Sequence, residues 1–343
     1  MSGRVDPKSI LVVVPTLNEE AHIEACLGSL IDGDPAMRAV RVVVADGGSA
    51  DATRRIVEEL RPRYPNVELI DNPGRLQSCA VNRAAAAAGP DARILVRCDA
   101  HSVYPPGFAT GVAESLSAKG AASLVVPMDA SGEGCFQRAV AFITDTKLGS
   151  GGSAHRGGTA SGWVDHGHHA GFDLGWFRRL GGYDETFSHN EDAEYDRRLA
   201  AAGGRIWLDA RLRIGVAPRA TVGGLAKQYW RYGRGRARTV LLHRMRPRLR
   251  QMIPVAHVLA LAASAALAPL HWIGLLYPAA YFALAAAASI WAAARMRSPC
   301  GLWGGVALAV MHTAWGAGFL AQAPRGAQTK PKPFADAPPR PAA

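Results

Sequence analysis

The sequence predicts an α/β domain with a parallel sheet, followed by helices that cross a membrane. Two observations predict the sheet: β-branched runs alternate with helical segments through the first hundred residues, and polar residues collect where those runs end. A third observation predicts the membrane part, because 44 consecutive residues near the C-terminus include no Asp, Glu, Lys or Arg.

The first strand is predicted at residues 9–15, where SILVVVP is a nearly continuous apolar run typical of a strand buried on both faces. The segment TLNEEAHIEACLGSL then indicates a loop entering a helix, and the alternation recurs. The further predicted strands are 41–46, 67–72 and 92–100, and the helices between them lie in SADATRRIVEELRPRY and LQSCAVNRAAAAAG.

Polar residues follow each predicted strand, at 15–19, 46–49, 72–75 and 99–101. Each group alone is ordinary turn chemistry. The carboxyl ends of parallel strands meet at one edge, where ligands bind, so four groups there indicate a binding site. The chain contains neither G-x-G-x-x-G nor GxxxxGK[ST], which disfavours a dinucleotide-binding Rossmann domain and a P-loop.

The uncharged run at 251–294 predicts a helical hairpin, because 44 helical residues extend about 66 Å and the bilayer core is about 30 Å thick. We place the spans at 252–270 and 275–294. Cys300 to Leu320 is a weaker third candidate, since it is rich in Gly and Ala and contains His312. Ala-rich helices in a soluble core are the alternative interpretation.

The formal net charge is +11, and residues 231–250 contain eight arginines and no acid. Such a segment could bind nucleic acid or an anionic membrane surface. Its position next to an apolar span favours the membrane and a cytoplasmic location for the N-terminal domain. We expect no nucleic-acid partner, and no signal peptide is expected because the apolar run near the N-terminus is too short.

The five cysteines form no C-x-x-C pair and no metal-binding spacing. This pattern predicts small buried side chains in a reducing compartment and no disulfide framework. The histidines of DHGHH, residues 165–169, raise the question of zinc, but no further ligand completes a standard spacing, so a loop or an acceptor pocket is favoured.

The segment SHNEDAEYDRRL, residues 188–199, has four carboxylates within six positions. Ser188 and Glu191 have the S-x-x-E spacing of a capping box, and acids in a first helical turn complement the helix dipole. Capping explains why a helix would begin here, but it does not explain why two acids, Glu191 and Asp192, are adjacent.

Five short motifs occur in order within residues 8–240: V-P-T-L-N-E, A-D-G-G-S-A-D-A-T, C-D-A-H, N-E-D-A-E and Q-Y-W-R-Y. Together they resemble the family 2 glycosyltransferases of the GT-A fold, and within that family the bacterial exopolysaccharide glucosyltransferases of succinoglycan type. The resemblance implies a nucleotide-sugar-binding fold with a mixed, mostly parallel sheet. It implies a catalytic domain at 1–230. Hydropathy and charge predict the rest of the organisation, which is a basic juxtamembrane segment at 231–250, two or three transmembrane helices at 251–322 and a Pro-rich tail at 323–343.

The resemblance also implies how a nucleotide sugar would bind. Asp46 would contact the uracil or ribose, and Arg75 would approach the diphosphate with Asn82 supporting the same face. Asp99 begins the motif that usually reads D-x-D and binds Mg²⁺ or Mn²⁺, but His101 replaces its second acid. Imidazole suits Mn²⁺ better than Mg²⁺. The residues implied in nucleotide-sugar binding are Pro15, Thr16, Asn18, Glu19, Asp46, Gly47, Arg75, Asn82 and Asp99, with Asp99 and His101 as metal ligands.

The same resemblance makes Asp192 the general base, with Glu191 as its neighbour, following the Gly181–Glu185 stretch. It assigns Gln228, Arg231 and Tyr232 to acceptor or diphosphate binding. The implied enzyme is an inverting transferase that moves a hexose, with glucose favoured, from a UDP-sugar to a lipid-linked saccharide at the bacterial inner membrane. Alternatives are a polyprenyl-phosphate glycosyltransferase, a membrane scaffold with a degenerate transferase domain, and a polymerase with an export pore.

Overall fold

The computed structural model of the protein describes residues 5–151 and 158–327, which form two compact units. The first unit comprises 5–128 and 158–215, and the second comprises 129–151 and 216–327. This division differs from the predicted boundary at residue 230, because Val140, Ile143 and Leu225 pack in one apolar cluster with the C-terminal helices.

The first unit is built on an eight-stranded sheet, which confirms the predicted mixed, mostly parallel architecture. In sheet order the strands run β3-β2-β1-β4-β8-β5-β9-β7, and β6 and β10 pair in a second, two-stranded sheet. The strands are β1 (Ile10–Thr16), β2 (Arg41–Asp46), β3 (Val67–Asp71), β4 (Ile94–Arg97), β5 (Ser123–Val126), β6 (Met128–Ala130), β7 (Gly162–Val164), β8 (His168–Asp173), β9 (Ile206–Leu208) and β10 (Ile214–Val216).

Strands β1, β2, β3 and β4 are parallel, and β8 runs antiparallel between β4 and β5. The register places Thr16 beside Asp46, and Asp46 beside Asp71, so these strands end at one edge. The apolar side chains of β1, β2 and β4 are almost fully buried, as expected for strands covered on both faces, whereas Leu69 and Ile70 of the edge strand β3 are partly buried.

The fourth predicted strand is shorter than expected, because β4 ends at Arg97 rather than near residue 100. The Asp99 N–H donates to the Tyr104 hydroxyl at 2.6 Å, which bends the chain away from the sheet. Helices of this unit follow the strands: α1 (Ile23–Ile31), α2 (Thr53–Leu60), α3 (Gln77–Ala86), α4 (Phe108–Lys119), α7 (Leu174–Arg179) and α8 (Glu191–Ala201).

The second unit is helical apart from its share of the two-stranded sheet. Three of its helices are long and apolar enough to span a membrane, by length and composition. They lie at or near the three predicted spans. Its helices are α5 (Cys135–Thr144), α6 (Lys147–Ser150), α9 (Val222–Leu242), α10 (Leu249–Leu267), α11 (Leu276–Met296) and α12 (Gly304–Gln322). The predicted tail lies outside the described residues beyond residue 327.

A disulfide joins Cys135 to Cys300 in the second unit, so the prediction of no disulfide was wrong. The two cysteines are 165 residues apart, and a pairing across such a distance cannot be deduced from spacing alone. Cys26, Cys79 and Cys98 are free and buried, as the sequence predicts for all five.

Candidate active site

A cavity opens at the carboxyl ends of the parallel strands, where the sequence predicts a ligand site. Six predicted binding residues share its wall: Pro15, Thr16, Glu19, Arg75, Asp99 and His101. The other lining residues are Leu17, Asn72, Leu76, Gln77 and Ala100. Residues from three loops, each following a different strand, therefore meet in one place.

Two buried polar atoms in this wall have no hydrogen-bond partner. The residues Thr16 and Asn72 are 5% and 3% exposed, yet Thr16 Oγ1 and Asn72 Oδ1 are both unsatisfied. An unsatisfied buried polar group costs about 1–3 kcal/mol. A wall with such atoms suits a ligand rich in hydroxyl groups and phosphate oxygens.

Asn18, Asp46 and Gly47 organise the loops beside this cavity. The Asn18 N–H donates to Ser49 Oγ at 2.9 Å, and the Gly47 N–H donates to the Thr16 carbonyl at 2.8 Å. The Asp46 carboxylate accepts from Ser49 Oγ at 2.5 Å, and its side chain has no exposed surface. Direct contact between Asp46 and uracil or ribose stays a prediction.

Asp99 is an ionised acid in the cavity wall. Burial opposes its charge, but Arg97, His168 and His101 outweigh that effect and hold the pKa of Asp99 well below its ordinary value. Arg97 Nη2 lies 3.4 Å from Asp99 Oδ1, and His168 Nε2 lies 3.3 Å from Asp99 Oδ2. Asp99 is therefore a fixed negative charge in the cavity wall.

Arg97 is a buried cation placed beside these acids. Burial disfavours its charge, but Asp99, Glu191 and Asp192 outweigh this, so the pKa of Arg97 lies above its ordinary value. Gln77 accepts from Arg97 Nε and Nη1, both at 3.0 Å, in the amide orientation that satisfies both of its polar atoms. The guanidinium is thus held in one position.

His101 lies at the cavity rim, where its side chain is 60% exposed. Its Nδ1 is 3.4 Å from Glu19 Oε1. Burial tends to raise the pKa of Glu19, but His101 and His22 outweigh it and lower that pKa. The His101 imidazole, which replaces the second acid of the motif, therefore interacts electrostatically with Glu19 in the predicted nucleotide-binding loop after β1.

Helix α8 begins at Glu191, but the predicted capping box is absent. The N-cap is Asn190, whose side chain makes no capping bond, and the Ser188 hydroxyl is hydrogen bonded to His189 instead. The capping prediction was wrong because Asn190 adopts a left-handed conformation, with φ of 63°, which moves the helix start two residues past Ser188. Glu191 and Asp192 remain in the first turn, near the positive end of the helix dipole.

Glu191 and Asp192 have opposite pKa shifts. Burial and the Asp192 charge raise the pKa of Glu191. Burial would also raise the pKa of Asp192, but His166, His169 and Arg97 outweigh it and lower that pKa. Asp192 is therefore an ionised carboxylate at neutral pH, in the form that a proton acceptor requires.

Asp196, one turn further along α8, is held between two histidines. His166 Nδ1 is 2.6 Å from Asp196 Oδ2, and His169 Nε2 is 2.7 Å from Asp196 Oδ1. His169 Nδ1 is also 2.8 Å from the Tyr183 hydroxyl, and His169 is completely buried. This network fixes the helix that carries Asp192.

Glu194 pairs with Arg198 in the interior, and both side chains are at most 1% exposed. Arg198 also donates to the carbonyls of Leu180 and Gly182. Asn82 contacts the same turn, because its amide donates to the Tyr183 carbonyl at 3.0 Å. The structure thus places Asn82 at this turn, and its predicted support of the diphosphate stays a prediction.

Comparison with known proteins identifies the family. A profile described as Glycosyl transferase family 2 matches residues 11–181. The chain is 45% identical over 318 residues to the succinoglycan biosynthesis protein ExoA of Rhizobium meliloti (strain 1021), covering 93% of this chain and 96% of that protein. The chain belongs to glycosyl transferase family 2. It is a glycosyltransferase, which confirms the prediction from the motifs.

Two further similarities are more distant. A dolichyl N-acetyl-alpha-D-glucosaminyl phosphate 3-beta-D-2,3-diacetamido-2,3-dideoxy-beta-D-glucuronosyltransferase of Methanococcus voltae is 29% identical over 94 residues, 27% of this chain and 29% of that protein. The structure of mannosyltransferase PcManGT from Pyrobaculum calidifontis, in complex with GDP-Man and Mn²⁺, matches with a TM-score of 0.60 at 21% identity. That match covers 90% of this chain and 88% of that one, and confirms the fold.

Sequence reasoning about this family 2 enzyme missed Arg97, His168 and Asp196. Arg97 precedes Asp99 by two positions, and strand alternation could have placed both on one face. His168 could not be found this way, because it reaches Asp99 through the antiparallel pairing of β8 with β4. The predicted acceptor-binding residues Gln228, Arg231 and Tyr232 lie on α9 in the second unit, where the Gln228 amide donates to the Tyr232 hydroxyl at 3.0 Å.

The site's donor groups fit a divalent metal shared with a nucleotide diphosphate. Among the described residues no group of three or more His, Cys, Asp or Glu side chains could hold a metal ion alone. A metal of this kind commonly takes one or two protein ligands, with phosphates and water completing the shell. Asp99 is ionised, and burial and Arg97 lower the pKa of His168, leaving its imidazole neutral at neutral pH. Neutral imidazole is the form that binds metal.

Proposed function

We propose that the protein is an inverting hexosyltransferase that moves glucose from UDP-glucose to a lipid-linked saccharide in bacterial exopolysaccharide biosynthesis. The observation that carries this proposal is the arrangement of two acidic groups around Arg97 and His168. Asp99 lies on the cavity side, Glu191 and Asp192 lie at the start of α8, and Arg97 interacts electrostatically with both groups. The similarity to a succinoglycan biosynthesis protein supports the exopolysaccharide assignment.

In this proposal the diphosphate leaving group binds in the cavity. Cleavage of the bond between sugar C1 and phosphate leaves negative charge on the diphosphate, which needs cationic stabilisation. Arg75, in the cavity wall, is placed to approach the diphosphate. Asp99 and His101, with His168 beside Asp99, would hold Mn²⁺ or Mg²⁺. When bound, such an ion supplies Lewis-acid stabilisation of the leaving group.

In this proposal helix α8 supplies the group that activates the acceptor hydroxyl. An incoming hydroxyl must lose its proton as it attacks C1, and Asp192 is the ionised carboxylate proposed to accept it. Glu191, whose pKa is raised, is protonated more readily than Asp192, whose pKa is lowered, and so leaves the base role to Asp192. One displacement assisted by one base inverts the anomeric centre.

The second unit supports a membrane location. The exposed faces of α10 and α11 carry large apolar side chains, including Ile253, Leu259, Phe282 and Ile290. A hairpin of these two helices would hold the enzyme beside an acceptor that lies in the membrane. The basic residues before α10 favour the cytoplasmic side for the catalytic unit.

A donor panel tests this function directly. The purified full-length protein is incubated with radiolabelled UDP-glucose, UDP-galactose, UDP-GlcNAc or GDP-mannose, together with a bacterial lipid extract. We expect the label from UDP-glucose to enter the organic phase. Transfer from GDP-mannose alone would overturn the donor assignment. Transfer to pure polyprenyl phosphate without any saccharide would favour the polyprenyl-phosphate alternative.

Metal dependence is tested in the same assay. We expect chelator to remove activity and Mn²⁺ to restore it more fully than Mg²⁺, because His101 provides nitrogen where an acid usually provides oxygen. In the His101→Asp variant, the activity restored by Mn²⁺ and the activity restored by Mg²⁺ should be more nearly equal. Full activity in chelator would contradict any role for a metal.

A further inference from the structure

Three apolar helices of the second unit are long enough to span a bilayer, but one of them is packed differently. In the most apolar 18-residue window, 17% of the residues are buried for α10, 11% for the segment that contains α11, and 44% for the segment that contains α12. Helices α10 and α11 therefore present their side chains outward. Helix α12 is buried to a greater extent than either of them, by other parts of the unit.

The first half of α12 lies against the last part of α11. The Gly305 N–H donates to Ser289 Oγ at 2.9 Å. Further along α12, His312 Nδ1 is 3.2 Å from the Tyr281 hydroxyl, nearer to the start of α11. The two helices are thus antiparallel over this stretch, and α12 begins at the end of the membrane hairpin where α11 finishes.

The second half of α12 lies against the first part of α10. Thr313 Oγ1 is 3.1 Å from His257 Nε2, and Phe319 packs with Val255. Gly316 fits against the Pro254 backbone, where an added Cβ would lie 2.1 Å from the carbonyl oxygen. As α12 proceeds, its partners move toward the N-terminus of α10, so α12 finishes beside the residues where α10 begins.

Helix α9 accompanies α12 in the same direction. An added Cβ on Gly233 would lie 2.0 Å from the Trp315 carbonyl, and Arg234 donates to Gln322 Oε1 at 3.3 Å. Arg238 reaches the Ala327 carbonyl at 3.0 Å. Because α9 packs along α12, a crossing of the membrane core by α12 would also carry α9 into that core.

That crossing would be costly. Helix α9 contains Lys227, Arg231, Arg234, Arg236 and Arg238. A charged side chain at the bilayer centre is strongly disfavoured. The charge of α9 therefore favours a location at the membrane surface for the α9–α12 pair.

We infer that α12 does not traverse the membrane, and that the chain crosses twice, through α10 and α11 alone. Helix α12 joins the end of α11 to the start of α10 on one side of the bilayer, so residue 327 lies on the same side as residues 243–248. This inference rests on the proposed membrane hairpin. Arg325 then lies with the other basic residues, in agreement with the positive-inside rule.

Cysteine labelling in intact spheroplasts tests the inference. Trp272→Cys, between α10 and α11, and Ala343→Cys, at the C-terminus, are made in the full-length chain, and the unaltered protein measures background. A membrane-impermeant maleimide should label position 272 strongly and leave position 343 at background until the cells are lysed. Labelling of both positions would show a third crossing and overturn the inference. Protection of position 272 would overturn the hairpin itself, and with it the inference.

A cross-link tests the α9–α12 contact in the membrane. Arg234→Cys with Gln322→Cys should be joined by a short bifunctional maleimide, because the ends of the two parent side chains are in contact. Arg234→Cys with Leu302→Cys is the matched control, because residue 302 precedes α12 at its other end. Equal cross-linking in both pairs, or none in the first, would contradict the packing on which the inference depends.

Discussion

The two halves of SHNEDAEYDRRL carry the same kinds of side chain and use them in opposite ways. Glu191 and Asp192 lie side by side in the first turn of α8, and no arginine forms a direct ion pair with either among the described residues. One turn later, Glu194 is bonded to Arg198 and Asp196 lies between two histidines. The carboxylates of the first pair are not held in an ion pair with arginine, whereas those of the second pair stabilise the fold through internal ion pairs and hydrogen bonds.

The difference separates the proposed catalytic carboxylates from the structural ones. A buried carboxylate whose oxygens are all engaged by a cation stabilises the fold but has no free oxygen for a proton. A half-buried carboxylate that is held ionised by nearby histidines can still accept one. Substitutions in the two halves should therefore produce different defects.

The largest effect is expected for Asp192→Asn. Loss of a general base reduces the rate by about a hundredfold to ten-thousandfold. Binding of the sugar nucleotide should change little, because the base acts in the transition state more than in the ground state. Turnover and UDP-glucose affinity are measured on the same preparation, together with the apparent Tm. Retention of more than half of the native turnover would contradict the role of Asp192.

Glu194→Ala should show the reverse pattern, with low stability and nearly native turnover per folded molecule. Removing one partner of a buried ion pair costs about 3–5 kcal/mol, because Arg198 would remain buried without its counter-ion. The urea midpoint of the detergent-solubilised protein is the measurement. The double variant Glu194→Leu with Arg198→Met should recover part of the loss, since an apolar pair leaves no unpaired charge.

Glu58→Ala is the matched control for that variant. Glu58 pairs with Arg61 on the surface at 2.8 Å, and both side chains are about half exposed. Exposed pairs contribute about 0–1 kcal/mol. If Glu194→Ala were no less stable than Glu58→Ala, the distinction between the two halves of α8 would be lost.

A smaller effect is expected in the pH dependence of stability. Burial and Asp192 raise the pKa of Glu191 to about 7, above its ordinary value of 4.5, so the folded state holds this proton more tightly than the unfolded chain. The associated stability is present at low pH and is lost as the pH rises through about 7. The apparent Tm should fall between pH 5 and pH 8, and Glu191→Gln should reduce that fall. Glu59→Gln, on the exposed face of α2, is the control, and an equal change in both variants would refute the assignment.

Much of the fold could be predicted from the sequence because its signals are local. The β-branched runs that form β1 and β2 and the uncharged runs that form α10 and α11 are visible residue by residue. The disulfide and the packing of α9 against α12 depend on partners more than 80 residues away, such as Arg234 for Gln322. Hydropathy measures how apolar a helix is, but it does not show whether lipid or another helix packs against it.

The candidate site shows the same limit. The strand-end loops with Thr16, Arg75 and Asp99 meet because parallel strands share an edge, which the sequence predicts. His168 reaches Asp99 only because β8 pairs antiparallel with β4, and that pairing has no local signal. The left-handed Asn190 likewise displaced the helix start from the predicted cap.

The anomeric configuration of the product distinguishes a single displacement from other mechanisms. In the proposed mechanism the diphosphate lies with Asp99 and Arg75 and the incoming hydroxyl lies with Asp192, so a single displacement joins acceptor and sugar. The native enzyme is given UDP-α-glucose labelled with ¹³C at C1, and the lipid-linked product is examined by NMR. We expect a β-linked glucose. An α-linked product would contradict the single displacement and the assignment of Asp192 as its base.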